Sequence, residues 1–367
     1  MMNLISSKRY NYLDLIKVIA IYLVCFYHVA NLNYNIVENS SSFIYFNYFI
    51  KTILSPCVPL FFMVNGALLL NKEYDLKKHI KKTVRLFILT FIWGIILLSV
   101  YGVIMKDSYT IITFIKSLIT WKEGRLNLLW FLQTLTCIYI LFPIIKFLYD
   151  NNKKILNYLL IIIAIFTFGI VILDMILNII QIILSGHIVY DGLLNTICDK
   201  FNPFKGFYSY SIVYFILGGI LFEKIKNNDI KITNVKLLLI SSVSCLILFG
   251  YGILISKNMN NLCDIAWYGY NTIMTLLTST SIFIFCSKLE NNIKHTKFLT
   301  IISSNTLGIY LLHCMINRII SPYYISISIS SNFIINIIYT FVILLISLVI
   351  VFILKKIPII KELFKLG

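Results

Sequence analysis

Charge is scarce in this chain. Only 13% of its 367 residues are Asp, Glu, Lys or Arg, against roughly a quarter in soluble domains. The length would suit two soluble domains, but no long polar stretch exists to build one. Acidic residues are the rarest charges, 15 against 32 Lys and Arg, which leaves a formal charge of +17. That excess does not imply a nucleic-acid partner, because the basic residues fall between apolar runs, where the positive-inside rule puts them. The eight cysteines form no CxxC pair, so neither a disulfide framework nor a zinc site is indicated. Six of them (Cys25, Cys57, Cys137, Cys245, Cys286 and Cys314) lie within apolar runs and read as small buried hydrophobes. Walker, GxSxG and HExxH motifs are missing. So is an internal repeat, and so is a small-residue cleavage site behind the apolar N-terminal stretch, which is therefore expected to be retained.

Apolar residues are abundant instead, at 59%, with a mean hydropathy of +0.88. The pattern predicts an all-α polytopic bundle in one integral membrane domain over 1–367. About ten spans are near the length a bilayer requires, at 12–32, 43–70, 85–105, 126–148, 155–173, 207–222, 235–256, 265–287, 298–320 and 332–354. The connection at 174–206 opens on DMILNIIQIIL, read as an interfacial helix. With both termini in the cytoplasm, 22 Lys and Arg fall in inside segments and 9 in outside segments, with Lys17 within a span. This bias supports that orientation.

The first apolar stretch, RYNYLDLIKVIAIYLVCFYHV, carries Asp14, Lys17 and His28. Ionisable groups are costly in a bilayer and seldom persist there without a partner or a task. Lys17 and His28 are eleven residues apart, about three turns plus 20°, so they share one helix face some 16 Å apart along the axis. Asp14 and Lys17 are three apart and can pair. His28 then reads as a general base, with Lys17 contacting an anionic ligand or Asp14. The bland alternative is a snorkelling Lys–Asp pair with an interfacial histidine.

Other marks are weaker singly. Lys82 and Arg85 stand one turn apart at the start of the third span, where they could clamp phosphates; a topology signal explains most of that basic run. Asn305, Tyr310 and His313 lie in SSNTLGIYLLH, with an interhelical hydrogen-bond pair as the default reading. His313 falls at the same expected depth as His28, and Trp130 near that level. Pro56 and Pro59 predict a kink. Asn65 and Gly66 in VNGALLL, and LGG at 217–219, read as close helix packing.

In order, these marks resemble the acyltransferase-3 family of bacterial membrane O-acyltransferases, which modify cell-surface sugars. The resemblance rests on LDLIK followed by His28, VPLFFMVNGALLL at 58–70, Lys82-x-x-Arg85, LWFL at 129–132, LGG at 217–219 and GIYLLH at 308–313. Lysine stands at 82 where the family's RxxR motif has arginine; it keeps the charge but loses the guanidinium fork. The resemblance implies a multi-pass protein of the bacterial plasma membrane, with cytoplasmic acyl-CoA, usually acetyl-CoA, as donor substrate and no permanently bound cofactor. It also implies a hydroxyl of a surface glycan or lipid-linked sugar as acceptor. His28 is then the base, with Lys17 and Asp14 beside it in the catalytic set. Lys82 and Arg85 bind the donor. Trp130, Asn305, Tyr310 and His313 are the substrate-side candidates, and Trp130, Tyr310 and His313 could steady the oxyanion. Direct transfer is preferred to a covalent acyl-enzyme, because no Ser–His–acid or Cys–His arrangement is legible. The rival reading is a transporter, flippase or sensing module for a polar solute, whose intramembrane charges bind the solute or relay protons. Membrane lipids are expected partners; the sequence leaves monomer and homo-oligomer open.

Overall fold

The structure is a computed structural model that describes residues 9–105, 109–121, 124–198, 200–204, 208–293 and 297–364. Lys8, Lys106, Lys122, Lys205, Lys294 and Lys365, which enter the charge count, lie outside them. Among the described residues there are helices and no strands.

The first crossing is α1, Asn11–Val29. The second is broken into α2 (Ser42–Leu54) and α3 (Cys57–Leu70). The break falls at Ser55–Pro56, where proline offers no N–H to the helical ladder. Next come α4 (Leu76–Met105), α5 (Ile111–Thr120), a 3₁₀ turn over Gly124–Leu129, and α6 (Trp130–Asn151). Asp75 accepts the Lys78 N–H at 3.0 Å and caps α4. That backbone bond holds its carboxyl below the usual range.

α7 (Lys153–Ala164), a π turn (Ile165–Gly169) and α8 (Ile170–Ser185) follow. They form one apolar run of 33 residues. The segment from Asp174 therefore continues a span and is no separate interfacial helix. Its polar side chains explain this. Asp174 accepts the N–H groups of Leu194 and Asn195 at 2.8 and 3.0 Å. Asn178 donates to Asp191 at 2.8 Å. The helix thus carries the loop and α9 (Leu193–Cys198) on its polar face.

The remaining helices are α10 (Tyr210–Lys226), α11 (Asn234–Asn258), α12 (Ile273–Lys288), α13 (Lys297–Ser303), α14 (Thr306–Ile325), α15 (Phe333–Leu354) and α16 (Pro358–Glu362). α13 and α14 meet at 72°. Among the described residues seven helices are long and apolar enough to cross a membrane, eight if that bent pair is one span. The other two expected spans, α10 and α12, have 17 and 16 residues, about 25 Å of helix. Both still join the two ends of the bundle. α10 runs from the Tyr208 ring beside Trp130 to Glu223, which takes Lys153 at the start of α7. α12 runs from Tyr270, stacked near Trp130, towards Glu290, which accepts the Tyr12 N–H at 2.7 Å.

α1 lies among α2, α3, α12, α13, α14 and α15. The tightest helix pair is α3 with α10. A Cβ on Gly66 would stand 1.7 Å from the Phe215 carbonyl oxygen, and one on Gly218 2.1 Å from that of Met63. Only glycine allows the two backbones to meet this closely. Elsewhere Leu238, Leu239, Val243 and Leu246 are exposed along α11, as a lipid-facing helix requires. Both described chain ends lie at one end of the bundle. Arg9 bonds Ser303 at 2.9 Å, Lys355 bonds Asn305 on that same stretch at 2.5 Å, and Trp93 bonds the Leu363 carbonyl at 3.0 Å. An even number of crossings produces this arrangement.

Candidate active site

Two cavities are stacked along α1. The one nearer the chain ends, the inner cavity, has a volume of about 460 Å³ and is lined by Lys17, Asn65, Ser303, Ser304, Tyr310 and Lys355 among others. Lys17 Nζ lies 3.9 Å from Asp14 Oδ1, the pairing expected from their spacing. Asp14 is buried, at 4% exposure, and its main partner is Arg9, which sequence spacing did not single out. Arg9 also bonds Ser303 and Ser304. This tie fixes the start of α1 to the break between α13 and α14. Lys17 and Lys355 line the cavity and Arg9 bonds two serines of its wall, so the inner mouth is cationic.

Lys82 and Arg85 stand apart from the inner cavity's lining. Arg85 is held by the end of the chain: its guanidinium contacts the Glu362 carboxylate at 2.5 Å and the Glu362 carbonyl at 2.9 Å. It lines a separate apolar recess with Val84, Ile88 and Leu363. Asn305 also belongs to the inner end, where it accepts from Lys355 at 2.5 Å and donates to the Ile301 carbonyl. It does not join Tyr310 and His313.

The outer cavity has a volume of about 690 Å³ and is lined by Tyr27, His28, Trp130, Gln133, Tyr208, Trp267 and Arg318 among others. His28 is exposed, and it lines this space from the last turn of α1. His313, fully buried, stands behind it with ring centroids 5.4 Å apart. The common depth expected for the two histidines is therefore a real meeting. Trp130 opens α6 against Tyr208 and Trp267, each with ring centroids at 5.0 Å. An aromatic wall thus faces the histidine pair.

Asp264 organises this wall and was not legible in the sequence. It accepts the Tyr27 hydroxyl at 2.8 Å and pairs with Lys51 at 2.9 Å. Its other oxygen receives the Ala266 N–H at 3.2 Å, so the loop that presents Trp267 is pinned beside His28. Lys51 is buried at 9% exposure, with its ammonium 4.7 Å from the Tyr34 ring centroid.

Tyr310 stands where the cavities meet. It lines the inner one, and its hydroxyl donates to the carbonyl of Leu128, which lines the outer one. His313 Nδ1 lies 3.1 Å from the Ile309 carbonyl and so carries its proton there. Two of the three oxyanion candidates thus have their protons engaged, which leaves the Trp130 indole N–H.

A helical bundle with a cationic cavity at one end, a histidine-headed cavity at the other and one shared helix between them has the form of an integral-membrane enzyme. The chain belongs to the acyltransferase-3 family: the family's acyltransferase domain matches residues 10–356, nearly its whole length. No curated protein and no solved structure shows a significant match. The protein is a membrane acyltransferase.

Proposed function

We propose that the enzyme moves an acetyl or other short acyl group from cytoplasmic acyl-CoA to a hydroxyl of a surface glycan or its lipid-linked precursor, in a bacterial plasma membrane. The observation that carries this reading is the stacking of two cavities on α1, with Lys17 in one and His28 in the other. An anionic nucleotide thioester suits the cationic inner mouth, where Lys17 and Lys355 line the way in. Its acyl arm reaches upward past Tyr310. A glycan suits the outer cavity, where Trp130, Tyr208 and Trp267 offer flat apolar faces.

A sugar hydroxyl is a poor nucleophile until a base removes its proton, and a neutral imidazole can do so. His28 takes that proton, and the alkoxide oxygen attacks the thioester carbonyl. The C–S bond breaks and the proton passes from His28 to the departing thiolate. Charge on the carbonyl oxygen builds near Trp130, whose N–H is the donor left to steady it. Lys17 orients the donor. Asp14, some 21 Å from His28 along α1, acts through Lys17 and Arg9. Lys82 attracts the donor electrostatically at the mouth. Arg85 joins it only if Glu362 lets go.

Mass spectrometry of surface glycans from cells with and without the gene tests the reading. One acyl mass difference on a glycan hydroxyl is expected. Identical glycans, with movement of a solute that needs no acyl-CoA, would favour a transporter instead.

A further inference from the structure

His28, His313 and Cys314 converge. One ring nitrogen of each histidine and the cysteine sulfur all lie within 4.8 Å of one another. Cys314 Sγ is already 3.3 Å from His313 Nε2. His28 and Cys314 line the outer cavity, and His313 closes the cluster from behind. Two imidazoles and a thiol are a donor set for zinc, a borderline-soft cation without geometric preference of its own. Zinc bonds of about 2.0 Å to nitrogen and 2.3 Å to sulfur place tetrahedral ligand atoms roughly 3.3–3.6 Å apart. One pair already meets that spacing, and the others, within 4.8 Å, reach it by closing at most about 1.5 Å, within side-chain rotation. His313 is also oriented as metal-binding histidines are, with Nδ1 bonded to a backbone carbonyl and Nε2 turned to the cluster.

We propose that His28, His313 and Cys314 form a zinc site, open to the outer cavity at its fourth position. On binding, the Cys314 S–H bond breaks, its proton leaves to solvent, and the sulfur electron pair forms the bond to zinc. Both imidazoles bind in their neutral form. Occupancy removes the His28 lone pair from proton transfer, so zinc entering from the outer side inhibits the enzyme. This last step rests on the acyl-transfer reading; the metal site itself does not.

The test uses the full-length protein in detergent, with ZnCl₂ and CoCl₂ as probes. Wild type and Cys245→Ser are expected to retain about one more zinc equivalent than Cys314→Ser. Both should show a thiolate-to-cobalt charge-transfer band that Cys314→Ser lacks. His28→Gln should lose the same equivalent, which guards against a folding artefact at position 314. Equal zinc content and an unchanged cobalt band in Cys314→Ser would overturn the site. In the transfer assay, the zinc concentration for half-inhibition should rise about tenfold or more in Cys314→Ser. An unchanged value would overturn the inhibitory role. Cys314-dependent zinc binding in a protein that transfers no acyl group would leave the site standing and remove the acyl-transfer reading.

Discussion

Lys17 is a lysine with one near carboxylate and a cavity in front of it. If it holds the donor's negative charge, Lys17→Met removes a charge-assisted contact worth about 1.5–3 kcal/mol. The KM for acyl-CoA should then rise about 10- to 100-fold, with a smaller change in kcat, as initial rates over donor concentration would show. Asp14 calls for a different outcome. It is buried between Arg9 and Lys17 and far from His28. Asp14→Asn should lower the thermal midpoint by loosening α1 from Ser303 and Ser304 while kcat per folded molecule stays within a few-fold. A full loss of kcat with an unchanged midpoint would return Asp14 to the catalytic set. At this scale the sequence was partly legible. A helix period alone brings Lys17 and His28 to one face, and an i, i+3 spacing pairs Asp14 with Lys17. Arg9, Lys51, Lys355 and Asp264 were read as topology charges or not at all, because their partners lie far along the chain. The cluster of His28, His313 and Cys314 was hidden for the same reason: two helices supply it, so no local spacing announces it.

The decisive elements are the interrupted ones. The α2–α3 break follows from Pro56, and the kink was readable from proline chemistry. The α13–α14 bend carries no proline, and nothing local foretold it; Arg9 and Lys355 hold that bend through Ser303, Ser304 and Asn305. The fifth span is expected to end at 173, but its helix runs on to Ser185, because Asp174 and Asn178 satisfy a loop that folds back on them. The α3–α10 contact was legible in VNGALLL and LGG. It supports a direct test. Gly218→Leu places side-chain atoms where the Met63 backbone sits, beyond the overpacking that costs about 1–3 kcal/mol. A thermal midpoint well below that of wild type is expected in detergent. Gly250→Ala, with no neighbour within 4 Å of the added Cβ, should leave it nearly unchanged.

For the whole molecule, the alternation of basic loops and apolar runs gave the polytopic bundle, and the site then follows from orientation. With the chain ends inside, the outer cavity faces away from the cytoplasm. Two single cysteines placed in a cysteine-free background would check this. Asn260→Cys, after α11, should react with a membrane-impermeant maleimide added to intact cells. Asn152→Cys, between α6 and α7, should react only after lysis. The reverse pattern would put the Lys17 cavity on the wrong side for the proposed cytoplasmic acyl-CoA donor.

The most direct measurement joins the two cavities. Purified protein in proteoliposomes is given labelled acetyl-CoA and a glycan acceptor, and label on the acceptor is followed over time. Wild type should transfer label, and His28→Ala should be slower by about 10²- to 10⁴-fold, the range expected for losing a general base, while it still binds acetyl-CoA. Transfer by His28→Ala at the wild-type rate would contradict a base at that position.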